Sequence, residues 1–424
     1  MTATARALAH RQRGAAALVV TVLLLLAMAL AVALANRDLL FEQRSASNGV
    51  RATQAFEAAE AGLEWAAAQL NANRSIGADC TPTADAAATS FRMRYLAIAP
   101  GTGLVTPRSA VPDRASGPLQ AACVRGDDAW SCSCPSQGAP VLPAASAATA
   151  ASFVVAFEPT DVPGVVGVTA TGCSGAAMAC LDGSGTRADA TATVHAALGL
   201  IGGLRTPPAA TLTTRGDVEA GNAAIGLANA DPRTGVAVDA GGAIVAPQAR
   251  LGAAPGASIA DAMIDHDAAL STLDASRLFA ALFGVDPPAW RGQSAVRHID
   301  CRVDCRSAVV AALDDAADGA LIHVDGDLTL SGPLTLGSTT RPALIVVDGN
   351  VGFDGAVALT GLLHATGALA WTGAAGGSVR GALVPQAGYR GDASPDLAYD
   401  AAVLDLLRVR AGSFARVPGS WRDH

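Results

Sequence analysis

Two groups of side chains in this chain have types and spacing suited to chemistry. The first is His298-x-x-Cys301-x-x-x-Cys305. An imidazole and two thiolates suit zinc, but a complete tetrahedral site needs a fourth ligand. The second is Asp325, Asp327, Asp348 and Asp354. Repeating strands would align these carboxylates on one face, as acid–base or glycosidic chemistry requires. Each also stands beside a glycine, and Asp next to Gly is what a tight corner needs. The corner reading is preferred: lysine is absent, and aromatic residues that stack on sugars make up only 4% of the chain. Calcium at the Asp-Gly-Asp turn lacks the spaced acidic loop of a known site. His195, in an alternating strand, has no nucleophile or carboxylate spaced to use it. No catalytic, cofactor or metal residue is therefore assigned, and the expectation is not an enzyme.

The elements that would position those carboxylates form an internal repeat. Residues 319–326, 342–349, 360–367 and 381–388 align as apolar strands ending near a glycine. A second short strand follows the first three, at residues 327–330, 350–353 and 368–371. Alternating apolar positions with glycine corners let equal units stack through main-chain bonds, the pattern of a parallel β-solenoid. Residues 212–245 supply earlier rungs, residues 260–284 read as a helical insertion, and residues 395–407 read as a helix capping the open end. Leu330, Phe353 and Trp371 occupy equivalent inward positions. Further upstream, residues 152–157, 164–170 and 190–195 read as a small antiparallel sheet.

Composition agrees with a buried core built from small residues. The 424 residues are 51% hydrophobic and 16% charged, which excludes a disordered acidic chain or a coiled-coil rod. All 29 basic residues are arginine, unclustered, and the formal charge is −8. No nucleic-acid partner is expected. Arg-Gly-Asp occurs at residues 125–127, 215–217 and 390–392. Adhesion is one reading of it and turn chemistry the better one.

Residues 14–36 carry no charge, and Arg6, Arg11 and Arg13 precede them. As a helix they would be about 34 Å long, enough for one membrane span with the amino terminus cytoplasmic. Ala33-Leu34-Ala35 also fits a cleaved signal, but the helical pattern continues beyond it. Ala52, Phe56, Ala59, Leu63, Ala66 and Leu70 make a narrow apolar stripe, expected to pack against other helices. All eight cysteines lie on the exported side, where an even number reads as disulfides. Cys173–Cys180 and Cys301–Cys305 are the local pairs; Cys80, Cys123, Cys132 and Cys134 leave their connectivity open.

Arg11-Gln-Arg-Gly-Ala15, the apolar run, Phe41-Glu-Gln-Arg44, Asn48, Arg51 and Ala55-Phe-Glu-Ala-Ala-Glu-Ala-Gly-Leu63 resemble the amino-terminal region of PilX-type minor pilins of type IV pilus systems. The resemblance implies cleavage by a prepilin peptidase after Gly14, with Ala15 the new, methylated terminus. It implies partners among major and minor pilins, inner-membrane pilus assembly proteins and the lipid bilayer. Most pilins carry Glu at the fifth position after the cut; here it is Val19, and subunits lacking this Glu are associated with the filament tip or initiating complex.

The expectation is thus an α+β chain. Residues 1–14 are a cytoplasmic leader; 15–71 a pilin-like helix; 72–204 a disulfide-containing α+β region; 205–410 the β-solenoid; 411–424 a tail. It would sit in a bacterial inner membrane as a single-pass protein with its carboxy-terminal region periplasmic, then in the pilus or at its tip. Its role would be priming or tip presentation in a pilus, with a secretion pseudopilin, a surface adhesin or a β-helix polysaccharide-cleaving enzyme as alternatives.

Overall fold

The computed structural model describes residues 13–111, 117–144, 150–176, 178–182, 189–302, 305–373 and 376–423. It is a mixed α+β chain that opens with one long helix, α1 (Arg13–Asn71). Two features end that helix. Asn73 takes a left-handed backbone, φ 43°, and Arg92, in the short helix α2 (Phe91–Tyr95), donates to the Leu70 carbonyl.

The lower part of α1 lies on a seven-stranded antiparallel sheet. Its main strands run Gly412–Arg416, Thr191–Gly202, Val165–Cys173, Ser152–Pro159, Ala121–Arg125, Trp130–Ser133 in spatial order. Alternation turns Val166, Val168 and Ala170 toward the helix, where they join Leu63, Leu70, Phe91, Tyr95, Phe153 and Phe157 in one core. Disulfides Cys80–Cys134 and Cys123–Cys132 fasten its loops and edge. A single-turn helix, α3 (Met178–Leu181), follows the third of these strands.

The chain leaves this sheet at Gly202 and returns to it at Gly412, the residue paired directly opposite. Residues 411–424 are therefore not a tail: Gly412–Arg416 and Arg422–Asp423 both pair with Thr191–Gly202. Everything between is one excursion, and its strand pairing is parallel throughout.

The excursion winds around three sides. Side one stacks Val296–Asp300, Ala320–Asp325, Ala343–Asp348, residues 361–365 and 381–385, Ala210–Thr214, Val236–Ala240 and Met263–Ile264. Side two stacks Leu328–Ser331, Val351–Asp354, Ala368–Thr372, Gly388–Gly391, Asp217–Glu219 and Ile244–Val245. Side three stacks Leu334–Leu336, residues 357–359 and 378–380, Asp396–Ala398, Gly226–Ala228 and Arg250–Gly252. Leu330, Phe353 and Trp371 do share one column, the two rings edge to face at 4.8 Å. Corners are held by side chains. Asp327 Oδ1 accepts the Asn350 N–H at 2.6 Å, Asn350 Oδ1 the Ala368 N–H at 3.0 Å, and Asp217 Oδ1 the Ala243 N–H at 2.8 Å.

Two sequence expectations are corrected here. The rungs of residues 212–245 do not precede the repeat in space; they stack beyond its last coil, with Tyr389 opposite Val218. Nor does the segment 395–407 cap an end. Asp396–Ala398 is a side-three strand, and the helix after it covers the outer face of side one. That face carries four helices: α4 (Ala268–Thr272), α5 (Ala275–Phe283), α6 (Pro287–Arg291) and, past α7 (Arg306–Asp315), α8 (Ala401–Val409). Asp267, Asp274, Asp286 and Asp400 cap the amino ends of the four. Their Leu270, Leu278, Leu282, Trp290, Leu404 and Leu407 bury against Leu321, Leu344 and Leu362. The helix that does close an end is α7, whose Val309 is fully buried on the stacked core. Periodicity finds a helix but cannot say which surface it meets.

Candidate assembly site

Ala16–Leu34 of α1 is long and apolar enough to cross a membrane, and none of it is buried in the chain. Burial begins at Ala55, because that is where the end of the strand Val165–Cys173 reaches the helix. A Cβ on Gly172 would stand 2.1 Å from the Ala55 oxygen and 2.4 Å from the Ala59 nitrogen, so only glycine lets strand and helix approach this closely. Ala59, Leu63, Ala66 and Leu70 of the expected stripe are fully buried in this chain's own core. Their seat is the sheet beneath, so they offer no surface to another helix. Ala52 and Phe56 are the exceptions, Phe56 at 37% exposed; Phe41 and Val50, on other sides of the helix, are also exposed between span and sheet. Residues 1–12 lie outside the described residues. Gly14 and Ala15 fall in the first turn of α1, and their side chains also lie outside them.

Below the helix is a hub that the sequence reading missed. Arg92 is buried and donates to the carbonyls of Leu70, Arg410 and Gly412, with Phe414 5.0 Å beneath its guanidinium. Burial holds its pKa below the ordinary arginine value, against the opposing charge of Asp318. Asn71 exchanges two hydrogen bonds with Phe414, while Asn73 bonds to Asp318 and Gly319. Together these fix the end of α1 to the sheet and to the excursion. Nothing in the sequence distinguishes Arg92 from the other arginines, since its partners are backbone carbonyls, two of the three over 300 residues away.

The chemical candidates fare differently. Cys301 and Cys305 are bonded to each other, as their spacing suggested, which removes both sulfurs from any zinc site. Cys173 is disulfide-bonded as well; the side chain of its expected partner, Cys180, lies outside the described residues. Among the described residues, no group of three or more His, Cys, Asp or Glu is placed to hold a metal. The repeat does align Asp300, Asp325 and Asp348 in register, next to His298 and His323. Asp348 Oδ2 sits 2.7 Å from Arg291 Nη1 and 3.1 Å from His323 Nε2. The His323 hydrogen bond, with Arg291 beside it, holds that carboxyl below its usual range. A glycosidic general acid needs the opposite shift, so this group suits a fixed ion pair. One coil on, His364 is buried under Phe279 and Phe283, and burial lowers its pKa to about 4. Asp327 is a corner post, as derived above.

Residues 13–64 match the family model described as PilX N-terminal. The similarity is confined to this amino-terminal segment. That segment contains the whole apolar span and the first buried turns on the sheet, and it ends before α1 does. Among solved structures, the chain is similar to the competence-associated pilin ComZ from Thermus thermophilus. The two are 14% identical, with 88% of this chain and 97% of that one covered and a TM-score of 0.24. No curated protein matches the chain.

Proposed function

We propose that this chain is a minor pilin-like component of type IV pilus assembly, and that its part there is mechanical. The observation that carries this is a helix that matches the PilX amino-terminal model and whose apolar first half is left unburied by the described residues. Such a helix has two surroundings available, a bilayer before assembly and neighbouring pilin helices afterwards. Phe41, Val50 and Phe56 add exposed apolar side chains on different sides of the helix below the span. In this reading the span sits in the bacterial inner membrane with the rest of the chain periplasmic. A prepilin peptidase cuts after Gly14, and methylated Ala15 becomes the terminus. Val19 provides no carboxylate for a neighbour's terminal amine, which favours priming or the filament tip over the shaft. The parallel stack is read as a three-sided β-solenoid displayed by the pilin-like base. The Asp348 ion pair supports a scaffold over a hydrolase.

Processing tests the reading. Co-expression with a prepilin peptidase is expected to yield a chain beginning at Ala15, and Gly14→Leu to block the cut. An amino terminus at Asn36 would mean an ordinary signal peptide and would end the pilus reading.

A further inference from the structure

The two ends of the parallel stack differ. One is closed: α7 lies over it with Val309 fully buried and Cys305 nearly so, and the Cys301–Cys305 bond ties the helix to the first strand of side one. This end adjoins the base of the molecule, where Arg74 meets Asp315 at 2.8 Å and Asn73 meets Gly319 at 2.7 Å. The other end is about 34 Å away, seven strand spacings along side one.

There the last coil stays open. Among the described residues, Met263–Ile264, Arg250–Gly252 and Ile244–Val245 each pair with a strand on one side only. Their inward residues Met263, Leu251 and Ile244 are half-buried, whereas Val238, Leu227 and Val218, one coil deeper, are fully buried. Around them Val245, Ile259 and Ile264 are 53, 54 and 38% exposed. Free strand edges beside uncovered apolar side chains are what natural sheets cover or blunt. The rim is acidic. Asp261 and Asp265 have no arginine partner among the described residues, Asp265 pairing only with His266, while Arg250 is engaged by Asp396 at 2.6 Å. Asp265 also takes the Ile244 N–H, which leaves the edges on sides one and three as the unmet ones.

We propose that this open end is a docking site for an extended segment of a partner protein, added as a further strand on the last coil and carrying basic side chains opposite the rim. Strand addition satisfies the edge and covers Ile259 and Ile264. A second copy is a poor occupant, because pairing two open ends sets Asp261 and Asp265 of one against those of the other. The inference is independent of how α1 is used.

The test uses the full chain in detergent and a labelled decapeptide alternating valine and arginine. Binding is expected. N-methylation of the peptide's amides, which removes N–H donors and keeps the charge, should weaken it at least tenfold. The Ile259→Arg/Asp261→Arg double variant should do the same, while Asp314→Arg beside the closed end should leave binding unchanged. Equal binding of the N-methylated peptide would reduce the effect to charge attraction and overturn strand addition. So would absence of binding. Self-association of the chain that the double variant abolishes would make a second copy the occupant and overturn the choice of partner. The peptide comparison needs no variant to fold.

Discussion

Among single residues, Asp239 carries the clearest pH dependence outside the base. It lies on side one opposite Thr213, half-buried, with Asp267 for a neighbour. Burial, then the Asp267 charge and their shared hydrogen bond, raise its pKa to about 6. A carboxyl raised on folding leaves stability intact below its ordinary value of 3.8 and takes it away as pH climbs through 6. Asp239→Asn is therefore expected to stabilise the protein at pH 7.5 by about 1–2 kcal/mol, allowing for solvent around the group, and to have little effect at pH 4. Denaturant titrations at the two pH values check this. A gain equal at both would trace to packing and not to charge. The local roles of such residues were partly legible: Asp and Asn beside Gly announced corners, and Asp327 and Asn350 serve as corner posts. Asp348 was not legible as an ion-pair partner, because Arg291 and His323 reach it from other coils and another element.

For the elements, the helix and the repeat were the most legible parts, each carrying its own period. The stripe on α1 is apolar, as its spacing says, but from Ala59 on its neighbour is this chain's own sheet and not another helix. A period of 3.6 shows which side of a helix is buried and is silent about whether a sheet or another subunit covers it. The structure separates the two. Leu63→Asp places an unpaired charge in the core between α1 and the sheet and is expected to cost about 3–5 kcal/mol or prevent folding. Phe56→Asp, on exposed surface, should leave the thermal melt of the purified chain within a few degrees of the parent and instead reduce cross-linking to partner pilins. Equal loss of folding in both variants would contradict the burial difference. The side-three strand Leu334–Leu336 is not legible because three residues hold too few alternations to register as a strand, and residues 357–359 and 378–380 are not because they run on into the side-one strands without a break.

For the whole molecule, the connection at Gly202 and Gly412 makes the parallel stack an inserted unit. The two glycines are paired opposite each other, so a two-residue Asn-Gly turn can join the strands they belong to. Deleting residues 203–411 with that turn in place is expected to leave a chain in which α1 still packs on its sheet. Arg92 would keep its Leu70 and Gly412 carbonyls and lose that of Arg410. Circular dichroism of the deletion variant in detergent should show a cooperative melt; a gradual one would mean that the base depends on the stack. None of this nesting was legible in the sequence, where composition changes little at either boundary and the returning strand looks like a tail.

The order of coils also differs from the order of synthesis. Ala210–Thr214 is made early, yet its side-one neighbour toward the closed end, residues 381–385, comes roughly 170 residues later. A chain that emerges from one end cannot lay these coils down in turn. The first ones made must wait, exposed and half-paired, until nearly the last have appeared, and a shielding factor during that interval would matter more here than for a stack wound in sequence.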